Sequence, residues 1–189
     1  VNSIDPAGRR VLYGEKGEIS YDKLLLATGS RPVRVEVEGA GLEGVFVLRS
    51  YDQADAIGRF ASTAKEAVII GGGLVGLKTA YALRRRGLSV TVVVKSSHLL
   101  TRQLDVESAV MVESELSDAG INIIYGQNPA GFVSGTSRKG IGSVVLEDGR
   151  EIPAELALVA KGVRPNVELA REAGGETAEG DAIGGGGVP

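Results

Sequence analysis

AVIIGGGLVGLKTAYALRRRGLSVTVVVKSS, residues 67–97, decides how this chain is read. Ala67 to Ile70 is apolar without polar alternation, as expected of a strand buried on both faces in a parallel sheet. Gly71-Gly72-Gly73-Leu74-Val75-Gly76 follows, and fits G-x-G-x-x-G. Leu74 to about Arg86 then carries apolar residues at helical spacing, with Leu74, Leu77, Ala80 and Tyr81 expected on the buried face. Arg84-Arg85-Arg86 and Gly87 give the expected stop, cations at a helix C-terminus and then a residue suited to positive φ. That arginine run is read as dipole complement and solubility. Residues 89–94 make the second strand. In this context each glycine has a reason. Gly71 allows the tight turn, Gly73 lets a pyrophosphate approach the backbone, and Gly76 lets helix pack on strand. The free N–H groups of the first helical turn then face the phosphates. The pattern points to a dinucleotide, with a tight turn that merely needs glycines as the alternative.

The flanks extend the alternation. Val45–Leu48 reads as a strand, Ser50 as the cap of a helix from Tyr51 to about Ala61. Asp105 caps a third helix to Ala119, with Ala109, Val112, Leu116 and Ala119 as its apolar stripe and Gly120 as its stop. Ile121–Tyr125 is a strand. Residues 130–136, 142–147 and 151–153 read as an antiparallel meander with a hairpin turn at Glu147-Asp148-Gly149-Arg150. Leu156–Ala160 is one more buried strand, and 167–173 a short helix. Upstream, residues 10–13 and 18–21 read as short strands, Leu24–Ala27 as a buried run and Val33–Gly44 as an exposed connector. The tail from Gly174 lacks core-forming residues and is expected to be loose. Strands and helices alternate over about 45–162, so the expected fold is α/β, a doubly wound parallel sheet with an antiparallel meander.

Composition narrows the functions. A net charge of −3 suggests neither a nucleic-acid partner nor an acidic membrane surface. No apolar run approaches the roughly 18 residues of a membrane span. The chain has no Cys, so it holds no disulfide, thiolate nucleophile or Cys-ligated metal, and its one His, His98, is read as a loop residue. With no signal segment, the expected location is cytoplasmic. VNSIDPAGRR has no initiating Met and reads as the middle of a longer protein.

Two further motifs carry a resemblance. Tyr21-Asp22-Lys23-Leu24-Leu25-Leu26-Ala27-Thr28-Gly29-Ser30-Arg31-Pro32 resembles the A-T-G segment of the flavoprotein pyridine nucleotide–disulfide oxidoreductases. Ala160-Lys161-Gly162-Val163-Arg164-Pro165-Asn166 resembles that family's second strand-end motif, A-x-G-x-x-P-N, and the glycine turn lies between them at the family's spacing. Leu99 to Asp105 resembles the branch of NADH oxidases, rubredoxin and ferredoxin reductases and the flavin module of nitrite reductases. The resemblance implies a Rossmann-like NAD(P)-binding domain at 45–164. It is flanked by FAD-domain segments at 1–44 and 165–189. It implies an FAD-dependent enzyme that passes hydride from nicotinamide to flavin and on to an acceptor the sequence does not name. Residues 1–189 by themselves are then expected to be inactive. The cofactors carry the chemistry, so neither a catalytic side chain nor a metal is expected here.

The expected NAD(P) contacts are Gly71, Gly72, Gly73, Leu74, Val75, Gly76, Lys78, Val94, Lys95, Ser96, Arg102 and Gly162, with Thr28 and Gly29 near FAD in the intact protein. The partners are the nicotinamide nucleotide and the flavin domain of the same protein. Two positions depart from the family. Val94, 23 positions after Gly71, stands where a carboxylate would hold the ribose of NAD. Lys95 and Arg102 as charges, with Ser96 and Ser97 as donors, suit a 2′-phosphate, which favours NADP. NAD or dual use, with solvated loop charges, and a decayed site are the alternatives. Lys78 stands where the family usually has Glu. It is an exposed helix Lys, a partner for an acid in the FAD domain, or a cause of slower hydride transfer. A non-catalytic nucleotide-binding or partner-docking module is the competing function, and Lys78 and Val94 favour it. A simple dehydrogenase lacks its Tyr-x-x-x-Lys, since Arg85 follows Tyr81 at that spacing.

Overall fold

A computed structural model describes residues 1–135 and 140–177. Thr136 and the tail from Ala178 lie outside the described residues, and so do the readings made for them. The chain forms two compact units, Val1–Arg31 together with the segment from Val163, and Pro32–Gly162. In the first unit, β1 (Ser3–Asp5), β2 (Arg10–Tyr13) and β3 (Gly17–Ser20) form an antiparallel sheet in that order. β4 (Ser30–Pro32) pairs with β13 (Val163–Pro165), which leads into α4 (Glu168–Glu172).

Leu24–Ala27 is not a strand. Leu25 is 86% exposed. A buried parallel strand needs neighbours for its backbone groups, and among the described residues this run has none.

The second unit is built on five parallel strands. In chain order they are β5 (Val45–Val47), β6 (Glu66–Ile70), β7 (Ser89–Val94), β8 (Ile121–Tyr125) and β12 (Leu156–Val159). Their order across the sheet is β5-β12-β6-β7-β8. β6, β7 and β8 step outward one way, and β12 returns on the other side of β6. The strand order therefore reverses at β6, and sheets of this kind take ligands in a crevice at the C-terminal ends of the strands beside the reversal, here β6 and β12.

Three helices supply the core of one face. α1 (Tyr51–Phe60) contributes Ile57, α2 (Leu74–Arg85) Leu77, Ala80 and Leu83, and α3 (Val106–Asp118) Leu116, all packed with Ile69, Val92 and Leu158. The other face is covered by the meander β9 (Pro129–Ser134), β10 (Ile141–Leu146) and β11 (Glu151–Pro153), whose Phe132, Val144 and Leu146 pack on Val68, Ile70 and Val93. β6 and β12 are thus buried on both faces, which explains their uninterrupted apolar sequence.

Local signals set the helix ends. Ser50 Oγ accepts from the Gln53 N–H, and Gln53 Oε1 accepts from the Ser50 N–H, a complete capping box on α1. Asp105 Oδ1 accepts from the Ser108 N–H at 2.8 Å, and that bond holds the Asp105 carboxyl below its ordinary value. The cap therefore stabilises α3 above the ordinary carboxylate range and is lost as pH falls through the depressed value.

Three expectations change here. Leu74 and Tyr81 are 55% and 48% exposed, because the face of α2 that meets the sheet runs through Gly76, Leu77, Ala80 and Leu83. The segment 33–44 is not an exposed connector. Val35, Val37, Ala40 and Leu42 pack against the meander-side core, and Phe132 and Ile141 donate their N–H groups to Glu38 O and Glu43 O. Its Val-Glu alternation is the period of an extended segment with one buried side.

The arginine run is also structural. Arg84 Nε donates to Ala119 O at 3.0 Å, at the C-terminal end of α3, and Arg86 donates to Gly58 O at 2.9 Å. Arg84→Ala should lower stability by about 1–2 kcal/mol, because a half-buried carbonyl loses a charged donor. Chemical denaturation checks it, and an unchanged midpoint would show that water replaces the guanidinium.

Candidate functional site

The glycine turn closes the C-terminal end of β6. Gly71 has φ +125° and donates its N–H to Val93 O at 2.8 Å. A Cβ on Gly71 would collide with Ala160 O, so β12 approaches too closely for any side chain. A Cβ on Gly76 would collide with Gly71 O, and would sit 3.3 Å from Ala160 Cβ and Ile69 Cγ2. A Cβ on Gly72 would lie 3.0 Å from both methyls of Val94. Backbone collisions thus require glycine at 71 and 76, and side-chain packing crowds position 72. Gly73 is different. It has ordinary extended dihedrals, φ −85° and ψ 172°, and a Cβ there would meet nothing within 4 Å.

Gly73 is also the N-cap of α2, and no side chain caps this helix. Ser50 and Asp105 cap α1 and α3. The first-turn N–H groups of Leu74, Val75 and Gly76 have no intrahelical acceptor by the geometry of any helix start. They carry the positive end of the dipole. Leu74 and Val75 are exposed beside them. The open space before Gly73 is a cradle that a side chain would fill, and its donor set is that of a phosphate group. The site fits the pyrophosphate of a dinucleotide.

Val94 ends β7 with 2% exposure. Its side chain faces Gly72 and belongs to the core. Lys95, Ser96 and Ser97 follow it on the surface, as does Arg102. The loop between them is pinned to the glycine turn, since Leu100 N–H donates to Gly72 O at 2.9 Å and Leu99 is fully buried. His98 lies in this loop with Nδ1 2.9 Å from Leu99 O. The turn residues Gly71–Gly76, Val94 and the start of the Lys95–Ser97 loop therefore share one edge of the sheet. Lys78 is on the exposed side of α2 and makes no hydrogen bond or ion pair with a described residue.

The end of β12 adds a residue that the sequence reading did not single out. Ala160 N–H donates to Ile70 O at 2.8 Å, which sets Lys161 beside the turn. Lys161 Nζ donates to Asn128 Oδ1 at 2.7 Å. Asn128 Nδ2 in turn lies 3.3 Å from both carboxylate oxygens of Glu147. Partial burial, reinforced by the nearby Lys95 charge, lowers the Lys161 pKa, and Glu147 opposes the shift. The only sequence signal was a Lys in the first variable position of A-x-G-x-x-P-N. Gly162 follows with φ +96° and open space at its Cβ position.

Thr28 and Gly29 belong to the first unit. Thr28 Oγ1 donates to Asn166 O, Asn166 Nδ2 donates to Thr28 O at 2.9 Å, and Asn166 N–H donates to Gly29 O at 2.9 Å. Arg31 reaches Asn166 Oδ1 and Glu168, and holds the Glu168 carboxyl below its usual range. The A-T-G segment and the R-P-N segment are thus knitted together. Among the described residues there is no cluster of three metal-ligating side chains, and no helix long and apolar enough to cross a membrane.

The family model described as pyridine nucleotide-disulphide oxidoreductase matches residues 1–184. The large subunit of the nitrite reductase [NAD(P)H] of Klebsiella oxytoca is 37% identical over 174 residues, which are 92% of this chain and 18% of that protein. The rubredoxin-NAD(+) reductase of Pseudomonas putida is 36% identical over 183 residues, 96% of this chain and 46% of that one. Among solved structures, a ferredoxin reductase from Rhodopseudomonas palustris superposes with a TM-score of 0.89 at 36% identity, covering 95% of this chain and 44% of that one. The chain spans less than half the length of each.

Proposed function

The chain belongs to the pyridine nucleotide-disulphide oxidoreductase family, and from that premise we propose that residues 45–164 form the NAD(P)H-binding domain of an FAD-dependent oxidoreductase, with NADPH preferred. Residues 1–31 and 165–189 then belong to its FAD domain, where Thr28 and Gly29 border the flavin, and residues 32–44, expected in that domain, pack with the nucleotide-binding unit instead. The observation that carries the reading is the uncapped start of α2, with the open space at Gly73 in front of it.

The chain's own part is binding and placement. The N–H groups of Leu74, Val75 and Gly76 hold the pyrophosphate, and the absence of a side chain at Gly73 lets it reach them. Gly71 and Gly76 hold β6, α2 and β12 close enough to form the crevice, and Gly162 leaves its far wall open. At the ribose end, Val94 offers no acceptor to the hydroxyls of NAD. Lys95 and Arg102 offer charge and Ser96 a hydroxyl to a 2′-phosphate. Lys78 lies on the exposed side of α2, with its charge opposite to the family's usual one. When bound, the reduced nicotinamide supplies a hydride to the flavin. No side chain of this domain is needed as acid, base or nucleophile.

Calorimetric titration of the full-length protein with NADPH and NADH tests the reading. Tighter NADPH binding, with NADPH bleaching the flavin absorbance faster than NADH, is expected. Binding of neither nucleotide would overturn the domain assignment, and equal binding would overturn the preference alone. Retained nucleotide binding with no flavin reduction would favour a docking or sensing module.

A further inference from the structure

We propose that Lys161, held by Asn128, is a specificity-determining residue that joins Lys95 in binding the 2′-phosphate of the nucleotide. This rests on the reading that the crevice binds NADPH.

Two backbone segments run side by side at the end of β7. Gln127 N–H donates to Val94 O at 3.2 Å, so the chain after β8 passes directly alongside the end of β7, one residue before Lys95. Asn128, the next residue, accepts from Lys161 Nζ at 2.7 Å. Lys161 starts from β12, on the far side of β6, so its side chain reaches across the C-terminal edge of the sheet to the β7–β8 side. It ends beside the backbone that runs alongside Val94, the residue before Lys95, and the Lys95 charge acts on it there. Two strands that are not neighbours thus deliver two cations to one place.

The surroundings of the pair are uneven. Asn128 bridges Lys161 to Glu147, and Glu147 N–H donates to Asn128 O at 3.1 Å, so the bridge is fixed at both ends. The Gln127 side chain is fixed as well, accepting from Asp148 N–H at 3.2 Å. Lys95 makes no hydrogen bond or ion pair with a described residue. The Lys95 charge disfavours the ionised form of Lys161. One acid, reached through an amide on one side, leaves the pair with excess positive charge. A group carrying two negative charges relieves both lysines at once. A 2′-phosphate is such a group and a ribose hydroxyl is not. Lys161 thereby gains a use that its place in the strand-end motif does not suggest.

The test uses the full-length protein with Lys161→Gln, which removes the charge but keeps an amide donor for Asn128 Oδ1, and Lys161→Met as a second variant. Affinities for NADPH, NADH, 2′,5′-ADP and 5′-AMP are measured by calorimetry at fixed salt. Both variants should lose about ten- to a hundredfold in affinity for NADPH and 2′,5′-ADP, the range of one charged contact. Affinity for NADH and 5′-AMP should change by less than about twofold. A wild-type preference for NADPH that both variants retain would overturn this proposal and leave the domain reading intact. An equal loss for all four ligands would also overturn it, by placing Lys161 at a phosphate that NADH shares. A wild-type protein without NADPH preference would overturn the NADPH reading, and the role of Lys161 with it.

Discussion

Gly73→Val should abolish binding of NADPH and NADH alike while leaving the fold intact, a loss of at least about a hundredfold in affinity. Two parts of the prediction come from the same geometry. Gly73 has extended dihedrals that valine adopts without strain, and its Cβ position meets no protein atom within 4 Å. Valine at an N-cap is less favourable than glycine by about 0.5–1 kcal/mol. The melting temperature should therefore stay within a few degrees of wild type. The branched side chain instead fills the space before the first-turn N–H groups of α2. A pyrophosphate kept away from those donors loses several charge-assisted hydrogen bonds, each worth roughly 1.5–3 kcal/mol. Calorimetry for binding and a thermal melt for the fold give both readouts. Unchanged affinity would show that the turn is not the nucleotide site. Gly76→Val is the control with the opposite outcome. Its Cβ runs into Gly71 O, so the turn should fail structurally before binding can be measured.

Lys95→Glu should invert the nucleotide preference, with a combined swing of about a hundredfold in the NADPH-to-NADH affinity ratio, made of one lost attraction and one new repulsion. The substitution belongs at 95 and not at 94. Val94 packs against Gly72 and the core, so a change there alters packing as well as charge. Lys95 is exposed. A glutamate there can face the ribose from solvent, repel a 2′-phosphate and accept from the hydroxyls of NADH. An unchanged ratio in the variant would remove Lys95 from the phosphate end and leave it a solvated loop charge.

Much of the binding edge was legible in the sequence because its constraints are local. A strand without polar alternation, three glycines at fixed offsets and a helix with cations before Gly87 are all read within about thirty residues. Ser50 and Asp105 mark helix starts because a cap bonds an N–H three residues away. Only half of the capping box on α1 was read, since Gln53 looks like any polar helix residue until its side chain is seen to turn back. The spacing from Gly71 reads Val94 as the ribose-end position, and its burial against Gly72 is a tertiary fact.

What failed was pattern without partner. Leu24–Ala27 is apolar enough for a core strand, but a strand exists only where a neighbour takes its hydrogen bonds. Leu74 and Tyr81 have helical spacing that suits a buried stripe, and the sheet lies one row away on α2. The valines of 33–44 have the period of an extended segment, and only the meander shows which side of them is covered.

By itself, the sequence determined the parallel α/β order and the glycine turn, because each depends on dihedral freedom, capping or residue type within one βαβ unit. Tertiary structure decided which side chains from distant strands share the crevice. Arg84 and Arg86 became clamps on neighbouring helices, and Lys161 was carried from β12 to Asn128 beside the end of β7. The strand order β12-β6-β7 makes those meetings, and strand order is set by non-local pairing that no short stretch of chain encodes.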